Sequence, residues 1–171
     1  ALTFILSALL FLKLPYIAPT VEKSEPLTFE ALKDRRFLGA TVLNGFMSLH
    51  FVLQTVAIPL WIVNETNAPR WWVSVIFVIN TVGVILFQIR ASRGSGDVSV
   101  GARQFRRAGF AVSIACLLYA LASGVSTLLA CLILVAAMCV HVFGEVVGSA
   151  GSWSIGFGLA DEKHQGQYQG V

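Results

Sequence analysis

Charged residues are what this 171-residue chain has least of: Asp, Glu, Lys and Arg make up 12% of it, against 56% hydrophobic residues and a mean hydropathy of +0.77. A soluble domain carries about 25% charged residues, so a domain wrapped in a hydrated charged shell is excluded. Cysteine is also sparse. Cys116, Cys131 and Cys139 fall inside apolar runs without metal-ligand spacing, which excludes a disulfide framework and a zinc site and leaves them as small hydrophobes. Catalytic signatures are missing: no Gly-x-Ser-x-Gly elbow, no phosphate-binding loop, no His-Glu-x-x-His helix. The Gly-rich "GSWSIGFG" follows an apolar run instead of joining a strand to a helix, so it does not read as a phosphate cradle. An intramembrane protease needs paired carboxylates or a Ser/His pair at depth, and Glu145 has no acidic partner in any apolar run. No enzyme and no cofactor is expected. Strand-like alternation is lacking too, which excludes a β-barrel, whose strands are about 10 residues long and alternate in polarity.

What is present is a series of long apolar blocks. Residues 1–14 open with an apolar stretch that is too short to span, since a crossing helix needs about 20 residues; it reads as a truncated transmembrane helix. A charged loop, 15–37, follows. Four spans come next: 38–63, with Pro59 near its far end, 71–89, 108–123, and 128–157, which is long enough to extend past the hydrocarbon. They are joined by an outer loop at 64–70, a basic loop at 90–107 and a tight outer turn at 124–127. Residues 158–171 read as a polar loop and the start of a further helix. The fold expected is all-α, a polytopic helical membrane bundle with the lipid bilayer as its partner.

Charge orients it. Lys13, Lys23, Lys33, Arg35 and Arg36 lie in the first loop, Arg90, Arg93, Arg103, Arg106 and Arg107 in the basic loop, and Lys163 in the tail. With four alternating spans, these eleven of the twelve Lys and Arg residues share one side, leaving Arg70 alone opposite among Trp61, Trp71 and Trp72. The positive-inside rule makes the basic side cytoplasmic, in a multi-pass cell-membrane protein. The pI near 9.0 is thereby accounted for by topology. The basic loop has only Phe105 to stack on a base, so no nucleic acid is expected.

Polar residues inside the spans carry the chemistry. At roughly 100° per residue, His141, Glu145, Ser149 and Ser152 share one arc of the last span, with Gly144, Gly148 and Gly151 at its edge. A charge at mid-bilayer costs about 2.5–3.5 kcal/mol even on the lenient insertion scale, so Glu145 should face inward. It is either a structural carboxylate bonded across helices or a coupling group. His141, about 6 Å away along the axis, is close enough to share a proton with it. The glycines favour close helix packing over substrate contact. In span 38–63, Asn44, Ser48 and Thr55 lie on one arc, His50 and Gln54 on another. Span 71–89 places Ser74, Thr81 and Gln88 on a stripe, with Asn80 beside it. Together these groups favour a wet interior.

The order of spans and loops resembles helices six to ten, and the start of eleven, of a major facilitator superfamily transporter. The run "FGEVVGSAGSWSIGFGLADEKHQGQYQGV", residues 143–171, is similar to that family's junction between the tenth and eleventh helices, where Ala-Asp closes one helix and a Gly-x-Tyr-x-Gly-like step opens the next. Gln165 and Gln167 stand where relatives commonly carry Arg, and the basic loop lacks the full Gly-x-x-x-Asp-Arg-x-Gly motif. The resemblance implies two six-helix halves rocking about a midplane site. The amino-terminal half of the same protein would then be a partner. Spans 38–63 and 128–157 would line the site with Asn44, His50, Gln54, His141 and Glu145. Glu145 would couple protons to a small-molecule substrate or pair with a cationic one, in drug/proton-antiporter-like efflux. A non-transporting polytopic protein, such as a channel, scaffold or membrane-enzyme subunit, stays open as the alternative.

Overall fold

The computed structural model describes residues 7, 9–12, 30–91, 97–161 and 165–170. Most of the truncated helix expected at 1–14 and of the loop at 15–37 lies outside the described residues, as do Lys13, Lys23, Arg93 and Lys163.

Asp34 sets the start of the bundle. It ends the short helix α1 (Glu30–Lys33) and caps α2 (Arg35–Glu65), its carboxylate accepting from the backbone N–H groups of Arg36 at 2.9 Å and Phe37 at 3.2 Å. Those are N–H groups the first turn of a helix cannot bond internally. Pro59 has no N–H to give and its ring crowds the preceding turn. The helix absorbs this in a widened π turn, Leu53–Ala57, in which the Ile58 N–H reaches back five residues to the Leu53 carbonyl. α2 therefore runs through the proline to Glu65.

α3 (Trp72–Ala91) follows, then α4 (Val98–Leu121). The expectation of an irregular basic loop up to residue 107 is corrected here: α4 begins at Val98, so Arg103, Arg106 and Arg107 are helical. Asp97 supplies the reason, accepting from the Ser99 N–H at 2.7 Å and the Val100 N–H at 3.4 Å. The Ala, Arg and Gln residues behind it are good helix formers. Gly124, at φ 72°, makes the turn into α5 (Thr127–Leu159), because a left-handed backbone is open to glycine at no steric cost. A last short helix, α6, covers Gln165–Gln169.

The described residues are helical with no strand; strand-like pairing is limited to the bridge between Thr66 and Ser123. Three helices, α2, α3 and α5, are long and apolar enough to cross a membrane. α4 is the fourth expected span. Its 24 residues give it about 36 Å of length, but three arginines occupy its first half.

α5 is the centre of the bundle, packed against α4, α3 and α2. Ile62, Ala115, Ala130, Leu134, Ala137 and Met138 form the heart of the interior cluster. Facing outward are Val42, Phe46 and Leu49 on α2, Ile85 and Ile89 on α3, and Phe110 and Leu117 on α4. An apolar exterior on this scale suits a lipid surface and not water. A second, smaller cluster of Ala31, Phe37 and Tyr168 ties α6 to α1 and the start of α2.

Candidate functional site: polar contacts of α5 and the cavity beside it

α5 presents its polar side chains to two different neighbours. His141 is fully buried, and its Nε2 lies 3.3 Å from Nδ1 of His50 on α2. One ring must donate and the other accept, so between two neutral imidazoles the contact requires the same tautomer in both: Nε2–H in each if His141 donates, Nδ1–H in each if His50 donates. Nδ1 of His141 is buried without a hydrogen-bond partner. Tyr119 packs nearby, ring centroids 6.1 Å apart, its hydroxyl 3.8 Å from the Met138 sulfur. Three turns further along α5, the Ser152 hydroxyl donates to Asn44 Oδ1 at 2.9 Å.

Glu145 turns elsewhere. Its Oε2 accepts from Asn80 Nδ2 on α3 at 2.7 Å. The sharing of a proton between Glu145 and His141, expected from their spacing, is not seen. A four-residue step turns a helix by about 40°. Because α5 sits between α2 and α3, that angle is enough to send the two side chains to different helices.

A cavity of about 630 Å³ opens between α2, α4, α5 and α6. Asn44 and His50 line it, together with Ser149, Ser152 and Gly148 of α5; Gln54, His141 and Glu145 are not in its wall. Gln54 is buried in the π turn. At one end the cavity reaches Phe37 and Tyr168, whose rings meet edge to face at 4.7 Å. The Tyr168 hydroxyl lies 3.5 Å from Asp34 Oδ2, to which it donates. At the other end stands His50. Beyond it the helices are tied together: Trp61 Nε1–H donates to the Tyr119 carbonyl at 2.9 Å and Asn67 Nδ2 to the Val125 carbonyl at 2.7 Å.

Gly144, Gly148 and Gly151 of α5 face α4. A Cβ at Gly144 would lie 2.9 Å from a Val112 methyl and 3.2 Å from the Ala108 carbonyl oxygen; at Gly148, 3.1 Å from Ala108 Cβ. At Gly151 it would meet the Gly101 oxygen at 2.8 Å and the Phe105 nitrogen at 2.9 Å. Gly101 is the answering glycine on α4, a partner that span-by-span reading does not reveal.

Several hydroxyls expected to mark a wet interior serve their own helix instead. Ser48 donates to the Asn44 carbonyl at 2.8 Å, Thr55 to Phe51 at 2.7 Å and Thr81 to Phe77 at 3.0 Å. A hydroxyl one turn along from a carbonyl finds it without help from a neighbour, so these residues say nothing about water. Of the basic residues, Arg90, Arg103, Arg106 and Arg107 are exposed, but Arg106 also lines the cavity. The signal for that was available: with α4 helical from Val98, Ala102, Phe105 and Arg106 share one face and all three line the wall.

Comparison with family models, curated proteins and solved structures finds no match to this chain.

Proposed function

We propose that the chain is a polytopic membrane bundle forming part of a secondary transporter of the major facilitator type, moving a small molecule by alternating access with proton coupling. The observation that carries this reading is the cavity of about 630 Å³, polar along Asn44, Ser149 and Ser152, that stops at His50 where α2 meets α5. It is a pocket of ligand size, set among helices whose outer faces suit lipid. Support also comes from Glu145: an intramembrane carboxylate held by a single neutral amide can change protonation without breaking an ion pair. The ties of Trp61 and Asn67 hold α2 to α4 and to the turn after it, beyond the His50 end of the cavity, which supports entry from the end bearing Arg103, Arg106 and Arg107.

The test uses the full-length protein in liposomes loaded with a pH-reporting dye. Naphthalene carboxylates, amines and amides are added outside under an imposed proton gradient. At least one should drive proton movement in the wild type, and Glu145→Gln should abolish it while inserting normally. No solute-dependent proton movement in the wild type would leave a channel, scaffold or enzyme subunit as the reading. Unchanged movement in Glu145→Gln would reduce Glu145 to a structural group.

A further inference from the structure

We infer that the cavity beside α5 takes an organic anion with a flat aromatic body, its anionic head paired with Arg106. This names the substrate class of the site proposed above and rests on that reading. Among the described residues of the cavity wall, Arg106 is the one that carries a full charge, and no Asp or Glu is present. Glu145, the obvious candidate for binding a cation, is outside the wall and occupied with Asn80. A cation entering the cavity would find no carboxylate and would be repelled by the guanidinium. An anion would exchange part of its hydration for the paired N–H donors of the guanidinium fork. Leaving water is costly for either ion unless a counter-charge waits inside, so the wall selects by sign.

The rest of the lining fits the body of such a molecule. Phe51, Phe105 and Trp153 offer ring surface from three different helices. Phe105 is adjacent to Arg106 on α4, which places an apolar face next to the cation. Asn44 and Ser152, bonded to each other at 2.9 Å, supply a neutral pair able to meet a hydroxyl or carbonyl substituent. The volume, about 630 Å³, accommodates one drug-sized molecule.

The experiment is equilibrium binding by titration calorimetry to the full-length protein in detergent, against empty micelles. Three probes share one ring system: 2-naphthoate, 2-naphthamide and 2-naphthylmethylamine. Naphthoate should bind at least about tenfold tighter than the amine, as one charge-assisted contact allows. Arg106→Gln should cost naphthoate about tenfold and leave the amide unchanged, Arg106→Lys should recover much of the loss, and Arg103→Gln, outside the wall, should change none of the three. A thermal melt of each variant guards against misfolding. Tighter binding of the amine, a naphthoate preference that survives Arg106→Gln, or no binding of any probe would each overturn the assignment. Selective, Arg106-dependent binding without proton-coupled movement would keep this site and remove the transport reading; coupled movement of the amine alone would do the reverse.

Discussion

Replacing Gly151 with alanine adds one methyl group where α5 crosses α4, and the structure gives the consequence in numbers. The new carbon would sit 2.8 Å from the Gly101 carbonyl oxygen, 2.9 Å from the Phe105 nitrogen and 3.1 Å from Gln104 Cβ. Comfortable contact between such atoms is about 3.5–4.0 Å. The two nearest atoms belong to backbone and cannot rotate away, so the helices must separate or the methyl must strain. Overpacking of this kind costs about 1–3 kcal/mol. Against it stands a gain of about 1 kcal/mol, because alanine is the better helix former. Gly109→Ala on α4 isolates the contact, since it carries the same helix gain and nothing lies within 4 Å of its Cβ position. The two variants should differ by about 1–3 kcal/mol, with Gly151→Ala the less stable. Loss of helical circular dichroism as SDS is titrated into the purified protein in mixed micelles measures it. Equal midpoints, or a more stable Gly151→Ala, would refute the claim that α4 and α5 touch through their backbones here.

Three further outcomes follow from single contacts. Asn80→Val removes the amide that holds Glu145, and polar contacts between membrane helices average about 0.6 kcal/mol with a maximum near 1.7. A double-mutant cycle with Glu145→Leu, which removes the acceptor, should return a coupling in that range, and a value of zero would show that the pair is not formed. Trp61→Phe deletes the donor to the Tyr119 carbonyl and should lower stability by about 1 kcal/mol in the same SDS titration; an unchanged midpoint would mean that this tie contributes nothing. At Asp97, the hydrogen bonds from Ser99, then that from the Val100 N–H, outweigh desolvation and, with Arg103 nearby, hold the carboxyl below its ordinary value. A depressed acid stabilises the fold fully above its unfolded value and loses that contribution as pH falls through the folded one. Fraying of the first turn of α4, read by hydrogen exchange at Ser99 and Val100 after correction for intrinsic rates, should rise only in acid below about 3.9. Asp97→Asn should remove that pH dependence.

The long apolar runs made α2, α3 and α5 legible, because a sequence that must bury its backbone in an apolar solvent writes its helices as uninterrupted blocks. α4 was legible only in part. Three arginines within five residues, Arg103 to Arg107, read as loop, yet the capping signal at Asp97 outranks them because charge on an exposed helical face costs the helix little. Pro59 read as lying near the far end of a span that continues past it, and the structure adds the means, a π turn at Leu53–Ala57 that periodicity does not disclose. The Ser and Thr stripes were overread, since a hydroxyl four residues after a carbonyl needs no interior water. Pairing between helices was the least legible. Periodicity says which arc a residue occupies, but not that Asn80 stands 65 positions from the glutamate it meets or that His50 stands 91 from His141.

The contacts that hold α5 differ in kind from one neighbour to the next, and the difference bears on what can move. α4 is locked on by the backbone approach of Gly101 to Gly151 and by Gly144 against Ala108, and α3 by Gly83, where a Cβ would come 2.7 Å from a Val142 methyl. Such contacts exist at one separation and register only, so α3, α4 and α5 behave as one block. Around the cavity α2 meets the same helix through polar groups, His50 on His141 and Asn44 on Ser152. Hydrogen bonds of that sort trade partners with water or a ligand at small net cost. A shift of α2 against the block exchanges partners, whereas a shift within the block would collide backbones. The cavity lies along the exchangeable seam, whereas Glu145, bonded to Asn80 of α3 and outside the cavity wall, stays with its partner inside the rigid block.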